Sequence, residues 1–417
     1  MAGFPAHAGA VTDHTRSHPD SERSLRLLIL AGFASLTGDG IRSAALPLFT
    51  AISTHSPLTV SAVATAEVLP WLLVALPAGT VVDRGPPRTV VFSAHCLRSV
   101  AAAGLAAAVF TQHAGVPVLV ASAFLLTTGE TFADSAFQLL LVELSGRDRL
   151  DRANSWFVMT ETLGLDLGGP LLAALLFAWQ PGACFALDAG TFVLSAGFVS
   201  ALPDVRVGAA GARRPLRQEI VAGTRFLLGT RTLRTLVTAV VASAVAVSAA
   251  NAVVSLYAVD TLAVRPALVP TLWVAQALGT LFAVWLVPRL ATRFGDGPAM
   301  VGSLALLGVA FVAVGAIQVA ASVWVAYLLV GVGAGGWNVL SATRRQRLTP
   351  SVLMGRVTSA YRMLAWGLMP LGAALAGPLA RITSLATVFC VVGAVVMVVA
   401  VASARPLART GADRVER

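Results

Sequence analysis

Lysine is absent from the 417 residues, cysteine and tyrosine occur three times each, and charged residues of all kinds make up only 12%. Soluble domains carry about 25% charged residues, so half that share excludes a water-soluble globular chain. Cys96, Cys184 and Cys390 lie in or at the ends of apolar runs, without the spacing of a metal centre. No nucleophile–base constellation stands out, which removes the grounds for an enzyme. The 30 basic residues against 20 acidic ones give a net charge of +10. That excess is all arginine, and its placement along the chain, described below, argues against nucleic-acid binding. The polar segment Met1–Ser24 has no apolar region of its own, so no cleavable signal peptide is expected.

What the chain has instead is apolar length. Hydrophobic residues reach 57% and the mean hydropathy is +0.80. A membrane-spanning helix needs roughly 20 apolar residues. Runs bounded by charge or by Pro and Gly predict twelve spans: Leu25–Leu48, Val60–Val82, Thr89–Phe110, Val116–Val142, Ala153–Ala178, Ala183–Leu202, Leu233–Tyr257, Leu268–Leu290, Ala299–Ile317, Ser322–Leu340, Val357–Ala380 and Leu385–Ala404. The expected fold is therefore an all-α membrane protein of twelve transmembrane helices. A cytoplasmic tail (1–24) leads into a six-helix bundle (25–202). A linker (203–232) joins it to a second bundle (233–404), and a tail (405–417) ends the chain. In the linker, Leu216, Ile220, Val221, Leu227 and Leu228 recur at helical spacing among Arg217, Arg225 and Arg231, as in an amphipathic helix on the inner leaflet.

Arginine placement predicts sidedness. The tails and the connections on one side hold 25 of the 30; the opposite loops hold only Arg265 and Arg381, and three lie within spans. Under the positive-inside rule both termini are cytoplasmic, in a multi-pass protein of the cell (inner) membrane. A repeat supports the division into halves. Superposing Arg152-Ala-Asn-Ser155 on Arg356-Val-Thr-Ser359, a shift of 204 residues, also places Gly129 on Gly333, Asp134 on Asn338, Glu143 on Arg347 and Gly168 on Gly372. Two similar six-span halves with a site between them are a common transporter plan.

The connection after the second span, Gly79-Thr-Val-Val-Asp83-Arg84-Gly-Pro-Pro-Arg88, resembles the signature of the major facilitator superfamily, with prolines at 86 and 87 in place of the usual Gly and basic residue. Gly169-Pro170 resembles that family's antiporter motif, although Ala173 and Ala174 stand where glycines are usual. Thr37-Gly-Asp-Gly40, Glu130-Thr-Phe-Ala-Asp134, Arg152-Ala-Asn154, Leu187-Asp-Ala189 and Gly355-Arg-Val357 are similar to the macrolide-efflux and enterobactin-exporter-like branch. The resemblance implies two pseudo-symmetric six-helix bundles, alternating access and proton-driven export. It implies a cavity lined by spans 1, 2, 4 and 5 and their second-half counterparts. It also implies a latch in which Asp83 caps span 11 near Val357–Ser359 and Arg84, Arg88 and Glu143 form charge pairs, stabilising an outward-open state; Gly79 belongs to the same motif.

Charges inside the membrane carry the chemistry. One costs about 2.5–3.5 kcal/mol at the bilayer centre even on a lenient scale. Asp39, Glu67, Glu130, Asp134, Glu161, Asp166 and Asp188 face only Arg42, Arg98 and Arg362, and no acid from Val205 onward lies deep in a span. Proton exchange and binding of cationic substrates both fit that excess. Glu130, Asp134 and Gln138 share one face of span 4, and carboxylates on adjacent turns resist ionising together. Glu130 and Asp134, then Glu161, are the expected proton-coupling residues. A pairing of Asp134 with Arg98 is the structural alternative. Asp39 and Arg42, three apart, are expected to pair with each other, and Asp188 to bond to a neighbour's backbone. Trp273, Gln276, Asn338, Arg362 and Trp366 are candidates for the substrate cavity. Gly331-Val-Gly-Ala-Gly-Gly336 matches a dinucleotide fingerprint but lies within an apolar span, so its glycines are read as helix-packing positions.

These features predict a secondary transporter, with proton-coupled export of amphipathic small molecules such as antibiotics, other natural products or siderophores. The alternatives are a facilitator or importer of a metabolite, or a non-transporting membrane receptor. The expected partners are a small-molecule substrate and the lipid bilayer, with no nucleic acid and no obligate protein partner. No cofactor or metal is expected, the proton gradient supplying the energy.

Overall fold

The computed structural model describes residues 19–204, 216–350 and 353–409. Among these described residues, eleven helices are long and apolar enough to cross a membrane. In order they are Glu22–Thr54, Pro87–Phe110, Val116–Gly146, Arg149–Trp179, Pro181–Ser200, Arg231–Thr261, Pro266–Phe294, Asp296–Ala316, Ala320–Leu348, Arg356–Ile382 and Leu385–Leu407. A twelfth passage, second in the chain, is split into Pro57–Leu73 and Ala75–Arg84. They are called spans 1 to 12 in chain order.

The continuous second span predicted from hydropathy is thus broken at Val74. Its cause is local: Pro77 has no N–H to give the carbonyl of Leu73, so the ladder fails one turn upstream of the ring. Several other helices outrun the apolar runs that predicted them. Span 10 continues to Leu348, two turns beyond Leu340, because arginines at its end reach the aqueous side while helical hydrogen bonding continues. Spans 4 and 5 follow one another without a long loop: the chain kinks from one helix into the next at Gly146, whose φ of 65° glycine adopts without cost.

Spans 1 to 6 pack among themselves, as do spans 7 to 12. In lipid there is little hydrophobic drive between helices, so close approach of backbones does the work. A Cβ on Gly169 of span 5 would lie 2.5 Å from Cα of Gly40 in span 1. In the second half a Cβ on Gly331 would lie 1.9 Å from the Gln276 carbonyl, and one on Gly336 2.6 Å from Ser303 Oγ. The glycine run at 331–336 is therefore the seam of span 10 against spans 8 and 9.

The halves meet along span 2 against span 11 and span 5 against span 8. The polar contacts between them gather toward the arginine-poor end. His55 Nδ1 is 2.8 Å from Asp260 Oδ1, and Ser61 Oγ donates to the carbonyl of Ala373. Nearer the middle, Trp71 packs edge-on against Trp366, ring centroids 5.7 Å apart. At the arginine-rich end the linker helix Leu216–Gly229 is docked on spans 7 and 11. Leu227 is fully buried and a Cβ on Gly223 would meet the Arg356 carbonyl at 2.4 Å, so this helix packs on protein, with Arg225 left exposed.

Gly169→Ala should lower the thermal midpoint of the detergent-solubilised protein by the equivalent of about 1–3 kcal/mol, the usual cost of overpacking. Gly79→Ala, with nothing within 4 Å of the added carbon, should leave it unchanged or raise it. Equal tolerance at both positions would contradict the span 1–span 5 packing.

Candidate functional site

The first half buries a charge cluster drawn from four helices. Asp39 and Arg42 lie one turn apart on span 1, Glu67 on span 2, Arg98 on span 3 and Glu130 on span 4. Arg42 sits at the centre, 5% exposed, with Nη1 2.8 Å from Glu67 and Nη2 2.8 Å from Glu130. Its approach to Asp39 is longer, 3.3 Å. Asp39 also accepts from Arg98, the largest fully buried side chain among the described residues. Arg98 also reaches Glu130 at 3.7 Å, touches Ser35 Oγ at 3.4 Å and lies 4.1 Å above the ring of Phe192. Gly129 makes room for it, since a Cβ there would sit 2.5 Å from Arg98 Cγ.

Asp39 and Arg42 do pair, at 3.3 Å, but not exclusively: Asp39 also accepts from Arg98 of span 3, and Arg42 reaches on to spans 2 and 4. The alternative pairing of Asp134 with Arg98 is absent, because Asp39 and Glu130 already occupy that guanidinium. Three carboxylates therefore share two guanidiniums. Burying charge is tolerable only with such pairing, and removing one partner strands the other.

The cluster opens onto a cavity between the halves of about 180 Å³. Glu67 and Ser43 line one wall; Asn251, Trp273, Met369 and Ala373 line the other. Trp273 is held edge-on by Tyr327, centroids 6.2 Å apart. Glu130 is 22% exposed, and Asp134 and Gln138, one and two turns along span 4, are exposed. Asp134 also borders a small void of about 20 Å³ shared with Ser35, Leu36, His95 and Phe157.

Glu161 stands apart from this cluster. It begins a π-helical turn, Glu161–Gly168, that ends where Gly169 and the buried Pro170 cross span 1, and it lies within electrostatic range of Asp166 and of Arg362 from the other half. Arg362 covers the ring of Trp366 at 4.5 Å, so these two form a second aromatic and cationic surface with Trp71. Gln276 and Asn338 do not line the 180 Å³ cavity: Gln276 is in the span 8–span 10 seam with an unpartnered Oε1, and Asn338 is exposed. Of the loop motif, Gly79 is free of close neighbours and Arg84 and Glu143 are exposed. Arg88 pairs with Asp204 at 2.7 Å and donates to the Ser200 carbonyl at 2.6 Å, rather than to Glu143. The Asp83 side chain lies outside the described residues.

Residues 28–373 match the sequence profile described as the Major Facilitator Superfamily. The chain belongs to that superfamily. The protein is accordingly a multi-pass membrane transporter of this class rather than an enzyme. Among its relatives is the "Multidrug efflux pump Tap" of Mycolicibacterium fortuitum, 30% identical over 386 residues, covering 89% of this chain and 92% of that protein. The "Enterobactin exporter EntS" of Shigella flexneri is 27% identical over 378 residues, covering 87% of this chain and 86% of that protein. Among solved structures, the nucleoside transporter NupG aligns with a TM-score of 0.74 at 13% identity, covering 92% of this chain and 99% of that one. A bacterial homologue of the iron transporter ferroportin aligns at 0.68 and 16% identity, covering 94% and 98%. These structural likenesses establish the shared fold, two bundles around a central cleft.

Sequence reasoning missed Glu67 as a partner of Arg42 and Trp71 as a partner of Trp366. Both lie on the cavity-facing second span, and that shared placement was the available signal. Arg98→Met should destabilise the protein by about 3–5 kcal/mol, the usual cost of breaking a buried pair. Adding Asp39→Asn should recover much of the loss in thermal unfolding. A double variant whose loss equals the sum of the singles would mean that the two residues are uncoupled.

Proposed function

We propose that the protein exports amphipathic small molecules, cationic ones included, in exchange for protons. The carrying observation is the shortage of positive charge at the cavity wall: Asp39, Glu67 and Glu130 share Arg42 and Arg98. A proton on one carboxylate balances the group, and so does a substrate cation beside Glu67. The two compete for the same unneutralised charge, which is the minimum requirement for antiport. Glu130 is placed to take the proton, being bonded to Arg42 inside and partly open outside. Asp134, exposed one turn away, feeds or drains it.

Trp273 on the opposite wall and the Trp71–Trp366 pair offer flat apolar surfaces to an aromatic or lipophilic body. The names of the efflux relatives support the outward direction. The arginine distribution supports cytoplasmic termini. With that orientation, the named polar contacts between the halves close the outer end, and the exposed Asp134 and Gln138 face the inner one. The described arrangement is then the state that loads substrate from the cytoplasm. Rocking of one bundle against the other exchanges the closed end, and differential binding of proton and substrate to the two states drives the cycle.

Reconstituted vesicles bearing an imposed pH gradient should accumulate ethidium uphill, and collapse of the gradient should abolish accumulation. Glu130→Gln should reduce gradient-driven accumulation at least tenfold while passive exchange of ethidium down its own gradient persists. Full gradient-driven accumulation by Glu130→Gln would overturn its assignment, and gradient-independent movement by the wild type would overturn proton coupling.

A further inference from the structure

Behind the cluster, span 6 buries a carboxylate that the exchange just described does not use. Asp188 has no exposed surface, and neither of its carboxylate oxygens has a hydrogen-bond partner. The expected bond to a neighbour's backbone is absent. Thr191, the nearest hydroxyl along the helix, donates to the main-chain carbonyl of Asp188 at 2.7 Å and is thereby turned from the carboxylate. Span 1 presses so close that a Cβ on Gly38 would lie 2.5 Å from Asp188 Oδ1. On that side there is no room for water between the helices.

The groups around it are few. Spans 1, 3 and 5 pack on span 6. Span 1 brings Asp39 and Arg42, and span 3 brings His95 and Arg98. The packed segment of span 5, Gly169–Trp179, carries no ionisable side chain, and Cys184 lies one turn away on span 6 itself. Glu130 of span 4 is also within electrostatic range. Phe192, one turn from Asp188, stacks on His95 with centroids 5.9 Å apart and carries Arg98 on its face. Phe192 thus links the three, and the charge of Arg98 acts on Asp188 through space. Both guanidiniums in reach are already shared by three carboxylates. A fourth ionised one, dehydrated and without a donor, would add several kcal/mol of uncompensated charge burial, and a group so placed takes up a proton instead.

We propose that Asp188 is a second proton-binding site of the transport cycle, set behind the cavity wall and exchanging its proton through His95 and the void beside Asp134. This rests on the proton-coupled reading above. The void has room for about one water and is lined by both Asp134 and His95, and His95 Nδ1 is buried without a partner. Arg98 Nε is likewise unpartnered. When Asp188 gives up its proton to the cavity side, Arg98 is the cation that turns to the bare carboxylate, loosening its hold on Asp39 and Glu130. Protonation restores the arrangement seen here. The proton on Asp188 therefore sets which acids Arg98 serves, and through them the state of Glu130. Only a proton moves; no covalent bond besides the O–H is made or broken.

Infrared spectroscopy of the purified full-length protein in lipid, titrated in H₂O and D₂O, tests the site without any transport measurement. The wild type should show a buried protonated-carboxyl stretch near neutral pH that is missing from Asp188→Asn, retained in Asp166→Asn, and slower to exchange with D₂O in His95→Gln. In vesicles Asp188→Asn should keep ethidium exchange down its own gradient and lose at least tenfold in gradient-driven accumulation, with Asp188→Glu restoring part of it. Identical carboxyl spectra for wild type and Asp188→Asn would overturn the proposal, as would full gradient-driven accumulation by Asp188→Asn. Should Asp188→Asn fail to fold, Asp188→Glu takes its place: a displaced carboxyl band supports the site and an unmoved one overturns it. A wild type that carries the band yet moves ethidium without regard to the gradient would sink the antiport reading and, with it, the role of Asp188 in the cycle, leaving only the protonated carboxyl.

Discussion

Two guanidiniums serving three carboxylates inside a helical bundle is the constraint from which the rest of the site follows. Arg42 and Arg98 are almost completely buried, and an unpaired arginine there would not be tolerated. Each acid is therefore needed to hold an arginine, and each arginine is over-subscribed. Such a cluster is one positive charge short, and on the proposed function a proton or a substrate cation supplies it. Its position, open at Glu67 and Glu130 to the cleft between the halves, makes that missing charge available to solutes.

Small residues allow the helices to come close enough for this to happen. Gly129 admits the Arg98 side chain, Gly38 lies against Asp188, and the Gly40–Gly169 contact brings span 5 onto span 1. The second half keeps the framework and omits the charge. Gly333, the repeat counterpart of Gly129, is in contact range of Ser303 and Leu307, and the position after it is Ala334 where the first half has Glu130. Among the described residues only Asp260, at the arginine-poor end of span 7, reaches across to the first half with an acid, through His55. One bundle thus supplies the titratable wall and the other an apolar wall with Trp273 and Asn251.

The spans, their number and the acidic first half were legible in the sequence because hydropathy and composition are summed over whole helices. Partner choice was not. The spacing of Asp39 and Arg42 indicates that they can touch, yet the rotation of span 1 against spans 3 and 4 decides that Arg98 takes Asp39 and that Arg42 takes Glu130. That rotation is set by glycine contacts between helices, which no single-helix period contains. The break at Val74 was written in Pro77, but an apolar run hides it. Asp188 was misjudged for a related reason: a lone acid in a peripheral span looks satisfied by default, and only the packing of spans 1 and 3 against it shows that no donor arrives.

The most direct test of the shared-charge account is a proton count on binding. Ethidium is added to the purified protein in weakly buffered detergent solution near neutral pH, and the change in pH is recorded. The account predicts release of protons as the cation occupies the cleft, reduced in Glu130→Gln. Binding of ethidium with no proton release would contradict it, since the cation would then be neutralising nothing that a proton had held.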